Sequence, residues 1–432
     1  MEINYQLILA SAPLHPTEVE LQAIDALIPQ VADWQAMAFL LIDRGTAPLL
    51  YRKLPHIKNA ALIPTQAQEL LRKAYYKTVS STTLIYQEFV GLAQILQSHN
   101  IPFIPLKGIC MSEWLYGDTG LRQMSDIDIL IHEKDGVRCI EAMRTAGYFY
   151  EEGYTVGEFV DAKSRAHFNP LYRNNVMIEI HTKLQNFSEK DQQNLDEIWT
   201  NSQPIKLNGV STLRLELTDM LIYYCLHLDK HFFKTHVQFT SFNDIFNLLR
   251  MIDSRQQTTD NGENAKNKEQ RIKTEEIENF WDRFEAKCIV QGFTDTVFTY
   301  LVLVANYYKA PLPQYLVDKY GSLLTEEVKN RFENFLAGTE NEFIRRGATR
   351  SNIGVHVIHL QRLKNPIDFL RYLKGVVFPG KAFMIDKYSI KQPRLFWLWY
   401  PYRYYCGLKG LWYVVRGTST SSVTSTEKKK EK

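Results

Sequence analysis

The sequence lacks most of the features that mark a specialised class. It has no uninterrupted apolar run of about 18 residues, so no transmembrane helix is expected. Its start, MEINYQLILASAPLHP, has no basic opening and only a four-residue apolar run, so it does not read as a secretory signal. Cysteine is scarce, with five residues at 110, 139, 225, 288 and 406. The number is odd and no CxxC occurs, which argues against a zinc cage or a disulfide framework and fits a reducing cytoplasm. A strong charge of one sign is missing too. The net charge of +3 is too small to mark a dedicated nucleic-acid binder.

What is present is an ordinary globular balance, 45% hydrophobic and 23% charged, over 432 residues. That length suits two or three domains rather than one core. The charge is unevenly placed: residues 391–417 carry five Lys or Arg and no acid, and residues 1–390 sum to −4.

Residues 1–99 read as helical. Thr17 with Glu20 forms a capping-box pattern before LQAIDALIPQVADW, and Gly45 stops the run QAMAFLLIDRG. In the long segment before Asn100, Leu84, Phe89, Leu92, Ile95 and Leu96 recur at helical spacing. Residues 100–205 change character, with the short β-type runs IPFIPL, IDILI, YFY, HFNPLY and VMIEIHT around the helical EKDGVRCIEAMRTAG. The helical pattern returns from about 206 and runs to 390, interrupted by a polar loop at 254–275. Residues 391–417 form an aromatic and basic segment, and 418–432 read as a disordered tail. The expected fold class is therefore α+β: a small mixed sheet flanked by N-terminal and C-terminal helical regions.

The chemistry concentrates between residues 101 and 182. Asp126 and Asp128 begin an apolar strand, and residues two apart in a strand share a face. Two converging carboxylates repel unless a cation lies between them. Hard oxygen ligands so placed suit Mg²⁺ or Mn²⁺. In VMIEIHT, Glu179 and His181 share a face, so a strand laid beside IDILI brings a third carboxylate. Lys107 and Gly108 end the strand IPFIPL ahead of a helix, a junction where backbone N–H groups, helix dipole and ammonium favour phosphate. Arg122 lies four residues before Asp126 and offers either a bidentate phosphate contact or a structural ion pair.

These residues resemble the polymerase-β-type nucleotidyltransferases. They are most similar to a bacterial group known as nucleotidyltransferase family proteins, with an LKG turn, R-x-x-x-D-I-D-I-L, an E-I-H strand and a helical stretch like LHLDKHFF, followed by Asp244. The resemblance covers about residues 85–250. It implies a nucleotidyltransferase-like sheet domain and a divalent metal on Asp126, Asp128 and Glu179. It further implies triphosphate contact near Lys107 and Gly108, and an NTP substrate, ATP first. Lys-Gly stands where the wider superfamily has Gly-Ser, and Gly108 is unusually far from Asp126. A two-metal transfer of a nucleoside monophosphate to an unidentified acceptor is the leading expectation.

Other readings stay beside it. Glu179 could pair with Arg122 or Lys183. His181, His227 and His231 could face the acceptor, and a plain hydrogen-bonded histidine is the blander role. His227 and His231 are spaced for zinc but lack the glutamate of H-E-x-x-H and a third ligand. Residues 391–417, with nine aromatics, suit a membrane surface, a protein partner or packing on the body, with RNA binding through base stacking as a weaker option. The expectation is a cytoplasmic protein, with a peripheral position on the membrane as the alternative. A non-catalytic binding module and, less well, a D-x-D sugar-nucleotide glycosyltransferase are the alternative functions.

Overall fold

The computed structural model describes residues 2–150, 168, 170–184, 192–232, 239–260, 279–337, 378, 384 and 392–405. The proposed tail, most of the polar loop, the second half of the aromatic segment and the helical stretch HVIHLQRLKNPIDFLRYLKG lie outside the described residues.

Five helices open the chain: α1 (Ile3–Ala10), α2 (Glu18–Leu27), α3 (Trp34–Asp43), α4 (Ala47–Lys53) and α5 (Thr65–Ser98). The capping box at α2 forms as its sequence predicts. The Glu20 amide donates to Thr17 Oγ1 at 3.3 Å, and the Thr17 amide donates to Glu20 Oε2 at 2.7 Å. Helix α5 buries Ile85, Phe89, Leu92 and Leu96. Leu84, expected on that face, is 59% exposed, because the buried stripe passes one position further along.

The sheet follows. Strand β1 (Phe103–Leu106) leads into α6 (Lys107–Trp114), then β2 (Asp126–Ile131), α7 (Gly136–Thr145), β3 (Phe149–Tyr150), β4 (Leu171–Arg173) and β5 (Val176–His181). Their order is β1-β2-β5-β4-β3. β2 runs parallel to β5 and antiparallel to β1, so the sheet is mixed. Ile127, Ile129, Ile178 and Ile180 are fully buried, which fixes the register because a one-residue slip would turn them over to the polar face.

After α8 (Gln192–Asn201), residues expected to begin the second helical region form a hairpin instead, β6 (Gln203–Leu207) with β7 (Val210–Arg214). Asn208 and Gly209 both have positive φ, at 45° and 83°. An Asn-Gly pair between alternating residues is the signal for such a turn. Then come α9 (Leu217–Phe232), α10 (Thr240–Asp260), α11 (Phe280–Gln291), α12 (Thr294–Tyr308), α13 (Gln314–Tyr320) and α14 (Glu326–Ala337). Helix α10 continues to Asp260, so the first residues of the expected polar loop are helical. The observed class is the expected one, α+β with helical flanks.

Buried side chains from the first helices, the sheet and α9–α14 form one continuous apolar core. Polar ties cross it. Asn247 on α10 accepts from the Leu14 amide at 3.0 Å and donates to the Ala12 carbonyl at 3.1 Å. No helix among the described residues is long and apolar enough to cross a membrane.

Candidate functional site

The parallel pairing of β2 and β5 sets Asp128 directly opposite Glu179, with Asp126 opposite Met177 and Leu130 opposite His181. Alternation puts Asp126, Asp128, Glu179 and His181 on one face of the sheet. Ligand atoms of Asp128, Glu179 and His181 all lie within 4.8 Å of one another. His181 Nε2 is 2.8 Å from Asp128 Oδ1 and 3.6 Å from Glu179 Oε2. The group that meets at ligand distance therefore contains His181, expected on the acceptor side, in place of Asp126. Asp126 shares the face but sits half-buried at the strand's first position, one residue pair upstream.

Lys107 joins this group from β1. Leu106 pairs with Asp128 across the antiparallel ladder, and the next residue turns sharply into α6 with a φ of +48°. Such a backbone is uncommon for a residue with a side chain. The turn brings Lys107 Nζ to 2.6 Å from Asp128 Oδ1 and 3.7 Å from Glu179 Oε2. An ammonium thus bridges the two carboxylates.

The charges shape one another. Burial and the Asp128 charge push the Asp126 carboxyl up to about 6, against the pull of Lys107. Burial acts the same way on Asp128, but Lys107 and His181 outweigh it and hold that carboxyl well below the usual carboxylate range. Burial opposes the charge on His181, yet its hydrogen bonds to Asp128 and Glu179 raise it above the ordinary value. Lys107 is likewise raised despite burial, with the Tyr223 phenol, Asp128 and Glu179 favouring its ammonium form.

Helix α9 brings two further titratable groups, Tyr223 and His227, into range of Lys107 and Asp128. Tyr223 is 2% exposed, and its hydroxyl has no hydrogen-bond partner among the described residues. Burial drives this phenol up, and Lys107, Asp128, Glu179 and Asp126 all act on it. One turn later, His227 is pulled well below its ordinary value by burial, Lys107 and His231. The rings of Tyr223 and His227 lie 6.0 Å apart, and those of His227 and His231 4.6 Å apart. Tyr223 was not among the residues expected from the sequence. Its position one turn before His227, on the same helix face, was the available signal. Neither His227 nor His231 belongs to a group of three ligand side chains among the described residues.

Two expected phosphate contacts are otherwise engaged. Arg122 is buried and holds Asp244 of α10 through Nε at 2.9 Å and Nη2 at 2.7 Å, so the structure takes the ion-pair alternative. Tyr116 donates to the same carboxylate at 2.8 Å. Gly108 is buried as well, and a Cβ there would lie 2.6 Å from Arg122 Nη1 and 2.8 Å from Met124 Cβ. Its missing side chain makes room for Arg122 and Met124.

A family model described as uncharacterised nucleotidyltransferase matches residues 30–308, well over half the chain. The chain belongs to this family. The matched region ends at Tyr308, the last residue of α12, and so takes in the sheet and α9. No curated protein matches the chain. Among solved structures, an antigenic nucleotidyltransferase-like protein from Paracoccidioides brasiliensis matches at 15% identity, over 55% of this chain and 94% of its own, with a TM-score of 0.28. An overlap that weak carries neither fold nor function across.

Proposed function

We propose that this nucleotidyltransferase is of the polymerase-β type and the bacterial group its motifs resemble, and that it moves a nucleoside monophosphate from an NTP, ATP first, to an acceptor hydroxyl or phosphate. The in-register pairing of Asp128 with Glu179 carries this reading, because it joins two carboxylates distant in sequence with His181 at ligand distance. The donor set fits a divalent ion: carboxylate oxygens suit Mg²⁺, and one imidazole nitrogen is well tolerated by Mn²⁺. Asp128, Glu179 and His181 would hold it, with Asp126 completing the set from the strand's first residue. Divalent ions bound there would neutralise the triphosphate and favour the ionised acceptor.

The transfer forms a bond from the acceptor oxygen to the α-phosphorus and breaks the bond to the β-phosphate oxygen, so pyrophosphate leaves. A Glu179 carboxylate oxygen takes the acceptor's proton. Lys107 meets the phosphates as a point charge. Tyr223 and His227 line the acceptor side, where a buried hydroxyl and a neutral imidazole can hydrogen-bond the incoming group. A reducing cytoplasm suits the chain, whose described cysteines, Cys110, Cys139, Cys225 and Cys288, are free and buried.

The test is incubation with each labelled NTP and Mg²⁺ or Mn²⁺, following pyrophosphate release and label transfer to cell-extract components. Asp126→Ala with Asp128→Ala should abolish turnover without unfolding the chain. Turnover that survives the double substitution would refute the reading. Absence of thermal stabilisation by ATP and Mg²⁺ together would favour a non-catalytic module.

A second reading concerns residues 391–417, and here an anionic membrane surface is the proposed partner. Trp397, Leu398, Tyr402 and Tyr405 are each more than half exposed, and no acid interrupts the five basic residues. Tryptophan and tyrosine favour the headgroup level, and each Lys or Arg near anionic lipid contributes about 1 kcal/mol. Exposed leucines suit lipid better than stacked bases. The full chain should sediment with phosphatidylglycerol vesicles and not with phosphatidylcholine vesicles, and Trp397→Ser should weaken that binding. Failure to bind either vesicle, or binding to single-stranded RNA alone, would overturn it.

A further inference from the structure

Lys107 sits where a cation is needed. Its ammonium lies 2.6 Å from Asp128 and 3.7 Å from Glu179, the two carboxylates that face each other across β2 and β5. Asp128 is 1% exposed at its side chain and Lys107 only 16%, so neither charge is well served by water. A divalent ion approaching the same oxygens meets an ammonium already among them, and two cations at that spacing repel strongly in a poorly solvated site. The ammonium has one good alternative. Lysine's stem is flexible, and a triphosphate bound at the site would offer it fresh anionic oxygens. The backbone adds a reason to think the placement is specific, since Lys107 holds a φ of +48° that glycine would adopt more easily.

We infer that Lys107 is an exchangeable internal cation: it occupies the Asp128–Glu179 position in the free protein and yields it to a divalent ion when nucleotide arrives to accept the ammonium. This rests on the metal-dependent reading above and adds a coupling to it. Metal and nucleotide must then bind cooperatively. By linkage, nucleotide raises metal affinity by the same factor as metal raises nucleotide affinity. Without nucleotide the protein binds metal weakly, because the ion must leave Lys107 with no partner.

The experiment measures Mn²⁺ binding to the full chain by electron paramagnetic resonance, alone and with α,β-methylene-ATP, which cannot be turned over. Wild type should bind Mn²⁺ at least tenfold more tightly with the analogue than without it. Lys107→Met and Lys107→Gly should bind Mn²⁺ alone at least tenfold more tightly than wild type, and the analogue should add little. The glycine variant relieves the backbone, so a folded protein is expected from at least one of the pair, with circular dichroism as the check. Wild type that binds Mn²⁺ while both folded variants bind it equally or more weakly would overturn the exchange and leave the metal reading standing. Variants that bind Mn²⁺ beside a wild type that never does, even with the analogue, would make Lys107 a permanent occupant and also overturn the exchange. Mn²⁺ binding unchanged by Asp128→Asn, or none in any form, would remove the metal reading itself and this inference with it.

Discussion

The pair Arg122–Asp244 gives the sharpest test of how the site is held. Asp244 is fully buried and accepts three hydrogen bonds from Arg122, at 2.9, 3.1 and 2.7 Å, and one from Tyr116 at 2.8 Å. Arg122 is 4% exposed, and apart from Asp244 its guanidinium donates to the Gln123 carbonyl at 3.3 Å. Asp244→Ala would therefore strand a buried cation. Breaking such a pair from one side costs about 3–5 kcal/mol. The orphaned Tyr116 hydroxyl adds about 1 kcal/mol. Against a total stability of about 5–15 kcal/mol, this is a large fraction. Removing both charges in Arg122→Met with Asp244→Leu should restore most of the loss, because apolar groups of similar volume replace a buried pair at little cost. Urea unfolding followed by far-ultraviolet circular dichroism measures all three variants. An Asp244→Ala protein within about 0.5 kcal/mol of wild type, the range of ordinary surface changes, would refute the reasoning. So would a double variant no more stable than the single one. The double variant also tests function. If it keeps its stabilisation by ATP and Mg²⁺, Arg122 is structural, and loss of that stabilisation would return Arg122 to the triphosphate.

Three further outcomes follow from particular contacts. Gly108→Ala places a methyl 2.6 Å from the Arg122 guanidinium, which Asp244 pins, so it should destabilise by about 1–3 kcal/mol in urea unfolding despite alanine's better helix propensity. Thr17→Ala removes the cap of α2 and should cost about 1 kcal/mol by the same assay. Lys53 is buried, which pulls its ammonium from an ordinary 10.5 down to about 7, while its Nζ donates to the Ser11 and Leu49 carbonyls. Between those values the unfolded chain holds the proton and the folded chain does not. Stability should therefore rise as pH goes from about 7 towards 10, and Lys53→Met should flatten that rise in urea midpoints measured at pH 7 and 9.

Much of the sheet was legible because strand alternation is local. DIDILI and VMIEIH each announce a buried face and a polar face within six residues. Residues 206–214, expected to be helical, complete a hairpin whose signal is the Asn208-Gly209 pair between two alternating runs. The exposed Leu84 shows the usual weakness of helical spacing: apolar residues at similar offsets define more than one face, and only packing selects among them.

Local order, then, was fixed by the chain itself: period-2 and period-3.6 patterns, the Thr17 cap and the carboxylates leading a strand are short-range properties of neighbouring residues. Partner choice was not. Arg122 meets Asp244 across 122 positions, Lys107 reaches Asp128 only through the β1–β2 register and a left-handed turn, and Tyr223 comes within range of the carboxylates only through the tertiary placement of α9. Which cation neutralises which acid depends on distances in a poorly solvated interior, and those distances exist only once the sheet and the helices have closed on one another.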